Sequence, residues 1–218
     1  MELDGATVLL QWATGGLACC WVVTRHGRVG VGFGWLLRAT YLVIALGALA
    51  VGRLFLANGS ASAVRDLGTA GVVLGAAVAL VVSVNRRRLG PGGFPAALDL
   101  VAPVCGLVGL TAAAVDVGGP EALAFVRLVA GAVFLGSVTD AMLLGHWYLV
   151  QPELGRGPIL DVLRLTAIAW VPEVAALCWP IGMGQVFTGT VDDGWSGVLG
   201  LIGVTAGVTT LGLLGLTW

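Results

Sequence analysis

The feature that most restricts this chain is a succession of apolar stretches, each near the length of a bilayer crossing, separated by short polar joints. They fall at roughly 6–25, 33–57, 68–85, 95–116, 121–150, 158–181 and 196–218. A hydrocarbon core of about 30 Å takes about 20 apolar residues of helix. Inside it each unsatisfied backbone N–H or C=O costs several kcal/mol, and the stretches lack the short alternating pattern of a membrane barrel, which leaves helices. The chain therefore reads as all-α, a polytopic transmembrane helix bundle of about seven spans. Residues 1–218 form one integral membrane domain, because no polar joint exceeds about fifteen residues, too few for an independent fold.

Composition agrees. Hydrophobic residues make up 58% and charged residues 11%, against about 25% charged in an ordinary soluble domain. The net charge of −1 supplies no field for nucleic acid, so the bilayer is the first partner and nucleic acid is not one. All eleven basic residues are Arg, amid heavy Ala, Gly and Val usage, which suggests a GC-rich bacterial gene and hence the inner membrane. Cys19, Cys20, Cys105 and Cys178 lie in apolar stretches without metal or redox spacing and read as packing residues. Glu2 and Asp4 precede the first stretch where a signal peptide needs positive charge, so that stretch reads as retained.

The joints give an orientation. Arg25 and Arg28 lie in the first, Arg86, Arg87 and Arg88 in the third and Arg156 in the fifth; the fourth holds Asp116 and Glu121, the sixth Asp192 and Asp193. By the positive-inside rule the odd joints are cytoplasmic, with the N-terminus outside and the C-terminus cytoplasmic. Arg65, in the second joint, dissents. The fifth stretch, from Pro120 to Val150, would measure about 46 Å as a helix and must tilt or project. For the GxxxG matches Gly71 to Gly75 and Gly203 to Gly207, intramolecular packing is the default reading.

Ionisable residues within spans carry the functional clue, since even permissive scales charge about 2.5–3.5 kcal/mol for one at a helix centre. Arg127 and Glu173 lie at matching depths in neighbouring antiparallel spans, which predicts a buried pair, with Pro172 freeing a carbonyl beside it. Nearer the cytoplasm stand Arg38, Asp99, Asp140, Asp161 and Arg164. Asp161 and Arg164 are three apart and can pair with each other. Each of these charges reads either as a register-fixing pair or as part of a proton or anion path. Asp140 is the foremost candidate, placed ten residues before the end of its span, where headgroup water is hard to reach.

After it comes Gly145-His146-Trp147-Tyr148, either an interfacial aromatic belt or a contact for haem b or a quinone, with His26 as the other histidine. No catalytic signature or metal motif occurs, so no catalytic or metal-binding residue is assigned. Three functional readings follow. The first is a non-catalytic membrane subunit or anchor of a larger assembly, respiratory or redox, bound to other membrane subunits. The second is a small transporter or channel using the intramembrane charges. The third is a redox protein holding haem b or quinone at His146, Trp147 and Tyr148.

Overall fold

The computed structural model describes residues 4–55, 59–89, 94–116, 120–178 and 198–216. Among them every regular element is helical: α1 (Gly5–Thr24), α2 (Val31–Phe55), α3 (Ser60–Leu89), a 3-10 turn (Ala96–Leu100), α4 (Val101–Asp116), α5 (Glu121–Val150), α6 (Gly157–Cys178) and α7 (Val198–Leu216). Five helices, α1 to α5, are long and apolar enough to cross a membrane. In α6 Asp161, Arg164 and Glu173 interrupt the apolar run and Pro172 breaks the backbone ladder. Gly203–Leu213 of α7 is a shorter apolar stretch. The acidic pair Asp192 and Asp193, and the stretch from Pro180 through Gly184, lie outside the described residues.

Local signals set the helix ends. Asp4 caps α1, its carboxylate accepting from the Thr7 N–H at 2.6 Å. Gly27, at φ 64°, takes the left-handed turn that releases the chain after α1. Pro95 precedes the 3-10 turn and Pro120 precedes α5, where a missing N–H costs nothing. Against the sequence expectation, α3 begins at Ser60, eight residues before the predicted apolar stretch at 68, and so takes Arg65 and Asp66 into the helix.

The most buried of the candidate spans is α1, which packs against α2, α4 and α5, while α3 bridges α2 and α4 and α6 lies on α5. Glycines permit this crowding. A Cβ on Gly15 would run into the Ala132 carbonyl, and one on Gly136 would overlap the Gly15–Gly16 backbone, so α1 and α5 cross almost backbone to backbone. Gly68, Gly71 and Gly75 of α3 lie against Gly109, Cys105 and Ala102 of α4, so the first GxxxG match packs within the chain; Gly207 of the second has open space where a side chain would stand. Among the described residues α7 touches α6.

The Arg-bearing joints share one end of the bundle. Arg28 bonds Asp161 at 2.8 Å, and the Gly30 N–H donates to Gln151 Oε1 at 3.2 Å, which joins the loop after α1 to the loop after α5. Asp4, Arg53, Arg65 and Asp66 mark the opposite end.

Candidate functional site

Polar side chains are threaded through the bundle in three layers along α1 and α2. The first, at the Asp4 end, is a balanced network. Arg65 reaches Asp4 at 2.8 Å and Asp66 at 2.9 Å, and Arg53 Nε reaches the second Asp66 oxygen at 3.1 Å. Gly52 makes space for it, since a Cβ there would stand 2.7 Å from Asp66 Oδ1. Arg65, the dissenter from the charge rule, is thus a buried cation neutralised by two carboxylates, so it adds little net charge to its joint.

The third layer, near the Arg28 end, is an ion pair. Arg38 donates to Asp99 through Nε at 2.7 Å and through Nη2 at 2.6 Å, a two-pronged fit between side chains that are each only 3% exposed. The Phe94 ring lies 4.4 Å from the guanidinium, and Thr24 Oγ1 is 3.5 Å from Asp99 Oδ2. Gly34, one turn before Arg38, leaves room for the guanidinium: a Cβ there would stand 2.6 Å from Nη1.

Between these layers lies a carboxylate of a different kind. Asp140 is 0% exposed, and the Tyr41 hydroxyl donates to its Oδ1. Its Oδ2 has no hydrogen-bond partner among the described residues. Gly16 makes the arrangement possible, because a Cβ there would fall inside the Tyr41 ring. Ser137, one turn earlier on α5, is spent on the Phe134 carbonyl at 2.9 Å, and Thr139 accepts from Trp12 Nε1 at 2.9 Å. Cys19 and Cys20 of α1 are both buried. Counting along α1 at 1.5 Å per residue, Gly16 beside Tyr41 is about 18 Å from Asp4, and Cys20 is one turn further toward the Arg28 end.

An ionised carboxylate buried without a counter-charge is very costly. The two described Asp residues nearest in kind, Asp66 and Asp99, both have arginines. Asp140 has a phenol. What such a group can do is hold a proton on its unpartnered oxygen. A hard metal ion needs about six or more oxygen ligands, and among the described residues no cluster of His, Cys, Asp and Glu assembles a metal site.

The remaining predicted residues fall elsewhere. Arg127 donates from Nε to the Ala176 carbonyl at 2.8 Å, and the Glu173 carboxylate instead approaches Gly131, where a Cβ would stand 3.5 Å from Oε2 and 2.8 Å from Gln11 Nε2. Asp161 takes Arg28 as its partner across the joint, at 2.8 Å. Arg164 lies on the same helix as Asp161. His26 and His146 are both exposed. His146 Nδ1 bonds its own helix at the Met142 carbonyl, 2.8 Å away, and His26 Nδ1 is 3.4 Å from Arg28. Trp147 donates to Gln151 at 3.2 Å and packs tilted against Phe33 with ring centroids 5.6 Å apart, while Tyr148 donates to the Gly155 carbonyl at 2.8 Å. These aromatics tie the end of α5 to the adjoining loops. Of the three, His146 is exposed, while Trp147 and Tyr148 are half-buried and pack against the core.

Tyr41, the direct partner of Asp140, was not singled out by sequence reasoning, nor was the network around Arg65. The signal for Tyr41 was available: it is one of two tyrosines, it sits in mid-span, and a phenol in hydrocarbon needs a partner for its O–H. No family model, no curated protein and no solved structure matches this chain.

Proposed function

We propose that this is a multi-pass transporter that moves protons, alone or coupled to a solute, with Asp140 as the residue that takes and releases the proton. The observation that carries this reading is the fully buried Asp140 carboxylate, held by the Tyr41 hydroxyl on one oxygen and unpartnered on the other. Burial without a counter-ion makes the protonated form the stable resting state, and Tyr41 holds Oδ1 so that Oδ2 is the exchanging atom.

In this reading α6 and α7 cross the bilayer as well, giving seven spans, with the N-terminus outside and the C-terminus cytoplasmic in a bacterial inner membrane. The gathering of Arg28, Arg86 and Arg156 on joints of one end supports that orientation. The Asp4–Arg65–Asp66–Arg53 network would then close the outer end, and the Arg38–Asp99 pair would stand between Asp140 and the cytoplasm.

The test is reconstitution into vesicles loaded with a pH-sensitive dye, with proton entry driven by a potassium diffusion potential. The wild type is expected to acidify the lumen faster than protein-free vesicles, and Asp140→Asn to abolish the difference. Equal rates for the wild type and Asp140→Asn would overturn the reading. The alternative, a membrane subunit of a larger respiratory or redox assembly, is supported by composition alone. Stoichiometric partner chains on purification from native membranes would favour it.

A further inference from the structure

The two ends of the bundle carry unlike surfaces. At the Asp4 end the network matches Arg53 and Arg65 with Asp4 and Asp66. At the Arg28 end Arg25, Arg28, Arg86, Arg156 and Arg164 are exposed, with His26 among them, and the acidic side chains described beside them are Glu153 and Asp161. Exposed apolar residues adjoin these charges. Val31 follows Arg28 by three residues, and Leu149 and Val150 close α5 just before the loop that carries Arg156. The Arg25 guanidinium lies over the half-buried Trp21 ring, 4.6 Å from its centre. Apolar and aromatic side chains bordered by guanidinium groups mark the boundary between acyl chains and headgroups, so these arginines stand at the level of lipid phosphates.

Two of them meet at the start of α6. Arg28 Nη2 reaches Asp161 at 2.8 Å and lies 3.4 Å from His26 Nδ1. Its Nη1 rests against the first residue of α6, where a Cβ on Gly157 would stand 2.9 Å away, and Arg156 immediately precedes that residue. Both contacts of Arg28 go through Nη2, which leaves its Nε and Nη1 hydrogens to spare, and Arg25 and Arg156 make no side-chain hydrogen bond among the described residues. Guanidinium donors thus outnumber the one nearby carboxylate, and a guanidinium matches phosphate oxygens with two parallel hydrogen bonds.

We propose that the Arg28 end binds the phosphate headgroups of anionic phospholipids, with Arg28 and Arg156 at the start of α6 as the principal site. A lipid suits this place better than a soluble phosphate, because its chains cover Val31, Leu149 and Val150 while its headgroup meets the arginines. Asp161 competes with the lipid for Arg28. Each arginine at an anionic lipid surface is worth about fivefold in affinity. The surface is independent of Asp140 and of any proton movement.

The test is a titration of the whole protein in an uncharged detergent with short-chain phosphatidylglycerol and, separately, phosphatidylcholine of the same chains, the bound lipids being counted by native mass spectrometry. The wild type is expected to bind the anionic lipid about twentyfold tighter than the zwitterionic one, and the margin should shrink as salt is raised. Arg28→Gln together with Arg156→Gln should bring the two lipids close to parity. Asp161→Asn removes the competing carboxylate and should tighten phosphatidylglycerol binding about fivefold, a gain that a misfolded chain could not give. Arg53→Gln takes an arginine from the opposite end and should leave the affinity unchanged. Equal affinity of the wild type for the two lipids, or a loss from Arg53→Gln as large as that from Arg28→Gln alone, would overturn the headgroup site. Displacement of phosphatidylglycerol by an equal concentration of glycerol phosphate would overturn the lipid as its occupant in favour of a soluble phosphate ester.

Discussion

Asp66 and Asp140 are both buried aspartates in the same helical bundle, yet they are held in opposite ways. Asp66 lies between two arginines, Arg65 at 2.9 Å and Arg53 at 3.1 Å, within a network that also takes in Asp4. Asp140 has one tyrosine hydroxyl and an idle oxygen. Charge balance makes the first a fastening, whose worth appears when a partner is removed. Imbalance makes the second a place where protonation decides what is stable. Two buried carboxyl groups therefore call for different substitutions and different readouts.

The sharpest way to break this comparison is to neutralise each in turn. Asp66→Asn leaves two arginines without their shared acceptor, one of them buried, and is expected to lower stability by about 3–5 kcal/mol. Asp140→Asn keeps the shape and still accepts from Tyr41, so its unfolding in detergent should fall within about 1 kcal/mol of the wild type. If Asp140→Asn proved as damaging as Asp66→Asn, the carboxylate would be part of a hidden ion pair and the distinction would collapse.

A steric test comes next in size. Gly136→Val places side-chain atoms where the Gly15–Gly16 backbone runs, and α1 and α5 must separate. Overpacking of this kind typically costs about 1–3 kcal/mol, and here it also pulls Asp140, one turn along α5, away from Tyr41. Thermal unfolding and proton entry into vesicles should therefore move together. Tyr41→Phe addresses the hydrogen bond alone, with an expected loss of about 1–2 kcal/mol for leaving a buried acceptor unmade. The aromatic ring stays against Gly16, so the helix crossing should be kept and proton entry into vesicles slowed.

Much of the bundle was legible because lipid imposes one rule on every stretch: long apolar runs must be helices, and each of the described runs is one. Charges beyond those runs were harder to place. Arg65 looked like a loop residue that offended the charge rule, because nothing in linear order shows that Asp4, sixty-one residues earlier, stands beside it. Asp161 has Arg164 one turn away on its own helix, and local spacing naturally suggested that pair, yet α1 and α6 bring Arg28 to it from across the bundle. Arg38, Asp99, Asp140, Asp161 and Arg164 stood in one group by depth alone, since depth follows from counting residues. Which of them pair does not, because pairing depends on rotation about each helix axis, and Gly16 and Gly34 set that rotation through close approaches that composition does not reveal.

The smallest effect should come from the charge pair most easily seen on the surface. Arg28 and Asp161 bond at 2.8 Å, but their side chains are 47% and 35% exposed, so water and salt screen them. Ion pairs in such settings are worth about 0.2–1 kcal/mol. Arg28→Ala should therefore change unfolding by less than about 1 kcal/mol, and raising the salt concentration should shrink even that difference. Such a change should leave proton entry into vesicles untouched, because the loop after α1 is also tied to the loop after α5 through Gly30 and Gln151. A large loss from Arg28→Ala, insensitive to salt, would mean that this end of the bundle is held by a buried charge like the other end, and the contrast between a fastened Asp4 end and a more adjustable Arg28 end would have to be given up.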